Sequence, residues 1–136
     1  MYEPIVYIDR SRIRPGRIDD VRRRTAELVE FIDEREPQLL LYGFYIDDDA
    51  HRMTVIAIHP DAASVESHLD VGGEAFRGFA DVIEMEAIEV YGEPSDRMLE
   101  QLESKARALG GEAVSVGALH AGFTRIAAHA KDKADT

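Results

Sequence analysis

The chain has 136 residues, 45% of them hydrophobic and 32% charged, with no cysteine and a formal net charge of −11. That length allows one domain with a modest appendage, and the balance is that of a globular chain. The missing cysteines exclude disulfides, thiolate nucleophiles, zinc ribbons and cysteine-held iron–sulfur clusters, and the negative charge disfavours phosphate backbones as partners.

Pro4-Ile5-Val6-Tyr7-Ile8 is β-branched and aromatic, which predicts a short first strand. Arg14-Pro15-Gly16-Arg17 is a turn. Beyond it Ile18, Val21, Thr25, Leu28, Val29 and Ile32 recur at three- and four-residue spacing, one face of a helix from about 18 to 36 that Pro37 stops. Two apolar runs, 38–46 and 51–59, flank Asp47-Asp48-Asp49-Ala50 and read as a β-hairpin. Pro60-Asp61 opens a second helix with Ala62, Val65 and Leu69 on its apolar side. Gly72-Gly73 is expected to break it, leaving a second short helical piece with Ala75, Phe76, Phe79 and Val82. A fourth strand is predicted over 84–91. Ser95 is placed as the N-cap of a third helix with Met98, Leu99, Leu102, Ala106 and Leu109 as its stripe, ended by Gly110-Gly111. Val114, Val116 and Ala118 suggest a fifth short strand, weakened by Gly117 and Gly122, and the tail from Ala127 is expected to fray.

The order β-α-β-β-α-β predicts an α+β, ferredoxin-like antiparallel sheet over residues 1–94, followed by a C-terminal helix and extension over 95–136. Both helices would cover one face of the sheet and the other would meet water, so the strands should alternate apolar and polar. Strands two and three do not alternate: 39–46 carries no charge and 53–58 has only Thr54 as a polar residue. A second copy packed on the helix-free face, a homodimer, is the expectation, with the alternative that residues 95–136 fold back over it. The strand-like pattern after Gly110-Gly111 also raises an exchange of residues 112–126 between subunits.

Residues 1–24 hold seven arginines against four acids, while the other 112 residues hold nine basic and 23 acidic groups. With no aromatic residue interleaved from Asp9 to Arg24, this arginine cluster reads as a solvated face offsetting nearby acids, and no nucleic acid is expected. It could otherwise dock an acidic ligand or partner. No stretch reaches the roughly 20 apolar residues of a membrane helix, and no basic head with an apolar region opens the chain, so a cytoplasmic protein with no membrane partner is expected.

The chain resembles the dimeric α+β barrel superfamily, and within it the antibiotic biosynthesis monooxygenase-like proteins of the quinol monooxygenase type. The resemblance spans about residues 3–93. It is carried by the Ile5-Val6-Tyr7-Ile8 strand, the Pro15-Gly16 turn into a long helix, and the apolar hairpin. The stretch Ser64-Val65-Glu66-Ser67-His68-Leu69 followed by Ala75-Phe76-Arg77-Gly78-Phe79 completes it. Many members carry a histidine on the second helix before a short aromatic-bearing helix, the pattern of His68 with Phe76 and Phe79. Members commonly have a tryptophan or similar aromatic on strand three, which is absent here. The haem-degrading branch needs tryptophan and asparagine, and this chain has neither.

The resemblance implies oxidation of a small aromatic or quinol-like substrate without metal, flavin or other cofactor. Such chemistry needs an apolar pocket, a base for one hydroxyl proton and donors for an oxyanion. His68 is the candidate base, since an imidazole titrates near neutral pH. Tyr7, Tyr45 and Tyr91 are candidate substrate-binding donors, and Phe76 and Phe79 candidate pocket walls. Each also reads as structural: His68 as a groove-edge residue touching a carbonyl, the aromatics as core. The alternative is a non-catalytic ligand-binding or assembly protein of the same fold. No metal site is expected: His51 and His59 lie about 26 Å apart on an extended strand at ~3.3 Å per residue. His59, Asp61 and His68 could converge at a corner but have no ligand spacing, and Asp47-Asp48-Asp49 is a hairpin turn rather than a calcium loop.

Overall fold

The computed structural model describes residues 3–111 and 113–126. Among the described residues five strands and three helices follow in the order β1 (Ile5–Ile13), α1 (Ile18–Arg35), β2 (Leu41–Asp47), β3 (Arg52–His59), α2 (Ala62–Arg77), β4 (Ile83–Tyr91), α3 (Asp96–Ala108) and β5 (Val114–Gly117), with a 3-10 turn over Gly78–Asp81. The strands form one open sheet in the order β2-β3-β1-β4-β5. The first four strands pair antiparallel, as the α+β ferredoxin-like reading requires, and β5 adds parallel to β4. Because β5 pairs with β4 of its own chain, the exchange of that strand is not what the structure contains. The tail expected to fray from Ala127 lies outside the described residues.

Two sequence expectations change. The first strand runs five residues further, to Ile13, because Asp9 and Ser11 continue the inward phase that Ile5 and Tyr7 begin. The second helix does not break at Gly72-Gly73. Glycine costs about 1 kcal/mol relative to alanine inside a helix, but here the packing requires one: a Cβ on Gly72 would stand 2.3 Å from the Phe76 ring. The tip of the ring reaches back over position 72, and the bare Cα makes room for it. Asp61 starts this helix by accepting from the Ser64 amide at 2.9 Å, and Ser95 starts α3 by accepting from the Met98 amide at 3.1 Å. Gly110, with φ +90, closes α3 in the left-handed conformation.

The pairing register sets both faces of the sheet. On the helix-covered side Tyr42, Ala57, Tyr7 and Val90 form one row across four strands, and Phe44, Val55, Asp9 and Ile88 the next. Val21, Leu28 and Ile32 of α1, Val65, Leu69 and Phe76 of α2, and Met98, Leu102 and Ala106 of α3 join them in a single core. On the opposite side the rows are Leu41, Ile58, Val6, Tyr91 and Gly43, Ile56, Ile8, Glu89. The arginine cluster is taken up by the chain's own acceptors. Arg17 and Arg24 bind Asp81, Arg14 and Arg24 bind the Ala80 and Gly78 carbonyls, and Arg22 binds Asp48. These pairs match the reading of that cluster as an offsetting face. No helix among the described residues is long and apolar enough to cross a membrane.

Candidate functional site

Between the helix-covered face and the helices lies a cavity lined by Tyr7, Asp9, Tyr42, His68, Phe76, Lys105 and apolar neighbours that include Phe79. Four elements converge on it. β1 delivers Tyr7 and Asp9 at i and i+2, on one side of the strand. β2 delivers Tyr42, α2 delivers His68 and Phe76 eight residues apart on the same helix face, and α3 delivers Lys105.

His68 is held from behind. Its Nδ1 lies 2.9 Å from both carboxylate oxygens of Glu36, and both side chains are almost wholly buried. Glu36 is the residue that ends α1, four beyond Ile32, so it continues the buried stripe of that helix. A carboxylate can only accept, so Nδ1 carries the proton, and it is Nε2 that holds the lone pair whenever the ring is neutral. Nε2 has no hydrogen-bond partner among the described residues. The rings of Tyr42, His59 and Phe76 surround the imidazole at 5.1, 5.2 and 5.0 Å between centres.

His59, at the end of β3, plays a different part. Its Nδ1 lies 2.8 Å from Ser64 Oγ. Burial, reinforced by neighbouring His68, lowers it from the usual 6.5 to about 3, so it is neutral at ordinary pH. Asp61 is occupied by its helix cap, so the three side chains at this corner do not point at one ion. Among the described residues no three His, Asp or Glu side chains group as a metal site.

The other polar cluster sits on β1. The Tyr7 hydroxyl donates to Asp9 Oδ2 at 2.5 Å, and Lys105 Nζ donates to the Tyr7 oxygen at 2.9 Å and to Asp9 Oδ2 at 3.3 Å. Burial first, then the Asp9 charge and its hydrogen bond, push Tyr7 well above the usual phenol range. Burial and the charges of Asp9 and Glu36 do the same to Tyr42. Both therefore stay protonated. Asp9 Oδ1 is buried with no partner among the described residues. Leaving such an acceptor unsatisfied costs on the order of 1–3 kcal/mol, a cost that needs a reason.

His68, Tyr7, Phe76 and Phe79 thus share one cavity. Tyr45 and Tyr91 do not join them. They stand on the opposite face of the sheet, 52% and 43% exposed, and the Tyr91 hydroxyl donates to Glu89 at 3.2 Å. Glu36, Asp9, Tyr42 and Lys105 were not among the residues singled out from sequence. The phase of β1 would have found Asp9, and the i+4 step from Ile32 would have found Glu36. The cavity offers about 30 Å³ to water-sized occupants, enough for one or two waters. A groove between α2 and α3, of about 320 Å³ on the same scale, borders it and shares Phe76 and Lys105 as the dividing wall.

A split β-α-β-β-α-β sheet, with helices on one face and the other face open, is a ferredoxin-like α+β fold, and it is shared with solved structures that include a putative antibiotic biosynthesis monooxygenase. No protein-family profile matches the chain, and no curated protein matches it in sequence. Solved structures do match. The chain is similar to MupZ from Pseudomonas fluorescens, with a TM-score of 0.66 and 17% identity over 90% of this chain and 94% of that one. It is also similar to a protein from Bacteroides thetaiotaomicron described as a putative antibiotic biosynthesis monooxygenase, with a TM-score of 0.54 and 22% identity over 64% of this chain and 84% of that one. A conserved protein from Methanosarcina mazei matches at 0.58 and 20%, over 65% and 91%. At such identities the likeness is one of fold. Its extent is informative, since 90% coverage takes in most of residues 95–136, where α3 and Lys105 lie.

Proposed function

We propose that the protein is a monooxygenase that oxidises a small phenolic or quinol-like substrate with dioxygen and no cofactor, with His68 as general base. The observation that carries this reading is the buried Glu36–His68 pair, which fixes one imidazole nitrogen and leaves the other, unpartnered, beside the cavity. Nε2 takes the proton of a substrate hydroxyl, and Glu36 stabilises the imidazolium as a carboxylate does behind a catalytic histidine. The resulting phenolate gives electrons to dioxygen. For a phenol the balance is one phenol plus one dioxygen to one quinone plus one water, with all four electrons drawn from the substrate. Tyr7, Phe76 and Phe79 are then substrate neighbours, and the Phe76–Lys105 wall moves aside to admit a ring that 30 Å³ does not hold.

The same reading assigns the helix-free face to a second copy. Val6, Ile8, Ile56, Ile58 and Leu41 form a continuous apolar patch there, flanked by Tyr45 and Tyr91, and pairing two such faces removes it from water. Tyr45 and Tyr91 become interface residues instead of substrate contacts. The second functional reading, a binding protein without chemistry, is favoured only by the small volume of the cavity. Dioxygen uptake with a panel of quinols and polycyclic phenols separates the two. Wild type consumes dioxygen, and His68→Ala loses 10²–10⁴-fold, the usual contribution of a general base. Uptake that is unchanged in His68→Ala refutes the assignment.

A further inference from the structure

We propose that Lys105 of α3 is the oxyanion-holding residue of this cavity, the ammonium that pairs with the substrate oxygen once His68 has taken its proton. The proposal rests on the reading of His68 as base and extends it to the opposite wall. Lys105 is the only Lys or Arg among the cavity's lining residues. Its ammonium sits over the rings of Phe76 and Tyr7, 4.5 and 5.0 Å from their centres, and its side chain is only 12% exposed. A cation so placed is poorly hydrated and strongly felt by any charge formed beside it.

A structural ion pair with Asp9 does not account for this arrangement. Asp9 Oδ2 takes both the Tyr7 hydroxyl and the ammonium, while Oδ1 points to no donor. In a closed structural pair the carboxylate would be satisfied on both oxygens. The ammonium donates to two oxygens and retains a third hydrogen. The Tyr42 hydroxyl, kept protonated, makes no hydrogen bond among the described residues and supplies a second donor. The polar residues lining this volume are then two donors, Lys105 and Tyr42, together with Tyr7, Asp9 and the base His68. That set fits a molecule with an ionising hydroxyl.

The proton balance is simple. The substrate O–H bond breaks, the proton goes to Nε2, and the electron pair stays on oxygen beside Lys105. Glu36 and the new imidazolium become a neutral pair, so the total charge in the cavity does not change. The position of Lys105 depends on α3, whose Met98, Leu102 and Ala106 are buried in the common core. The C-terminal extension therefore completes the site as well as lengthening the chain.

The test uses 4-nitrophenol, whose phenolate absorbs at longer wavelength than the neutral phenol, with 4-nitroanisole as the partner that cannot ionise. Wild type is expected to bind nitrophenol as the phenolate. Lys105→Met is expected to weaken that binding by about tenfold or more, the effect of losing a hydrogen bond to a charged group, and to leave nitroanisole binding within about twofold. Lys105→Arg restores part of the loss. Asp9→Asn removes the carboxylate that competes for the ammonium, so it tightens phenolate binding by about threefold or more. A purely structural Lys105–Asp9 pair predicts that both variants weaken both ligands alike, and that result overturns the proposal. So does wild type that binds no phenolate. Lys105-dependent phenolate binding in a protein that consumes no dioxygen with any phenol supports the Lys105 assignment and sinks the monooxygenase reading alone.

Discussion

Alternate residues of β1 meet opposite surroundings. Ile5, Tyr7, Asp9, Ser11 and Ile13 face the helices and are buried, while Val6, Ile8, Arg10 and Arg12 face away. On the covered side the strand buries a carboxylate, a phenol and a hydroxyl. On the open side it presents valine and isoleucine to solvent, in rows continued by Ile56, Ile58 and Leu41. A stable isolated domain would favour the reverse. Exposed apolar residues and buried polar ones are the informative exceptions to ordinary partitioning, and here one strand carries both. In the proposed function the two faces divide the work, chemistry falling to the buried polar groups and association to the exposed apolar ones.

Acid titration should act on the covered face most strongly. The unfolded chain's imidazole at position 59 takes a proton near 6.5, but the folded protein holds that site neutral to about 3. The unfolded state thus binds more protons across this window, and stability falls as pH drops from about 6.5 toward 3. The full window is worth on the order of 5 kcal/mol. Chemical denaturation at stepped pH is expected to follow that slope, and His59→Leu should flatten it. An equally steep profile in the variant would contradict the assignment.

A charge on the open face should cost somewhat less and change a different property. Ile56→Asp places an unpaired carboxylate on both sides of the proposed two-fold interface, at about 3–5 kcal/mol for an uncompensated buried charge. Light scattering should report dimers for wild type and monomers for the variant. If the open face were merely solvated, the two would behave alike.

The smallest effect belongs to Gly72. Alanine gains helix propensity there but drives a methyl group into the Phe76 ring, so Gly72→Ala is expected to lose about 1–3 kcal/mol net, as overpacked cores do. The same change at Gly73, where a Cβ would meet only the end of Arg77 at 3.4 Å, should be neutral or stabilising. Thermal midpoints of the two variants shifting together would show that packing on Phe76 is not what holds position 72.

The fold was legible because hydrophobic period and turn residues agree over most of the chain. The α1 stripe, the apolar hairpin around Asp47–Asp49 and the Ser95 cap all stand where the pattern puts them. The Gly72-Gly73 pair misled because local propensity carries no information about a ring that packs from one turn away. Of the residues that line the cavity, the sequence pattern singles out only His68, Tyr7, Phe76 and Phe79. Glu36 and Lys105 lie on helix stripes that read as apolar, and a charged residue in an apolar phase looks like the edge of the stripe until the opposite wall is known. Tyr45 and Tyr91 were grouped with Tyr7 because residue type does not reveal strand phase: the antiparallel register places Tyr45 opposite Thr54 and Tyr91 opposite Val6, both on the open side.

The most direct measurement is the tautomeric state of His68, read from the 15N resonances of its ring in the wild-type protein and in Glu36→Gln. A proton on Nδ1 and a lone pair on Nε2 are expected while the ring is neutral, with that preference weakened or lost in the variant. A wild-type ring protonated on Nε2 and bare on Nδ1 would contradict it, because no base would then face the cavity.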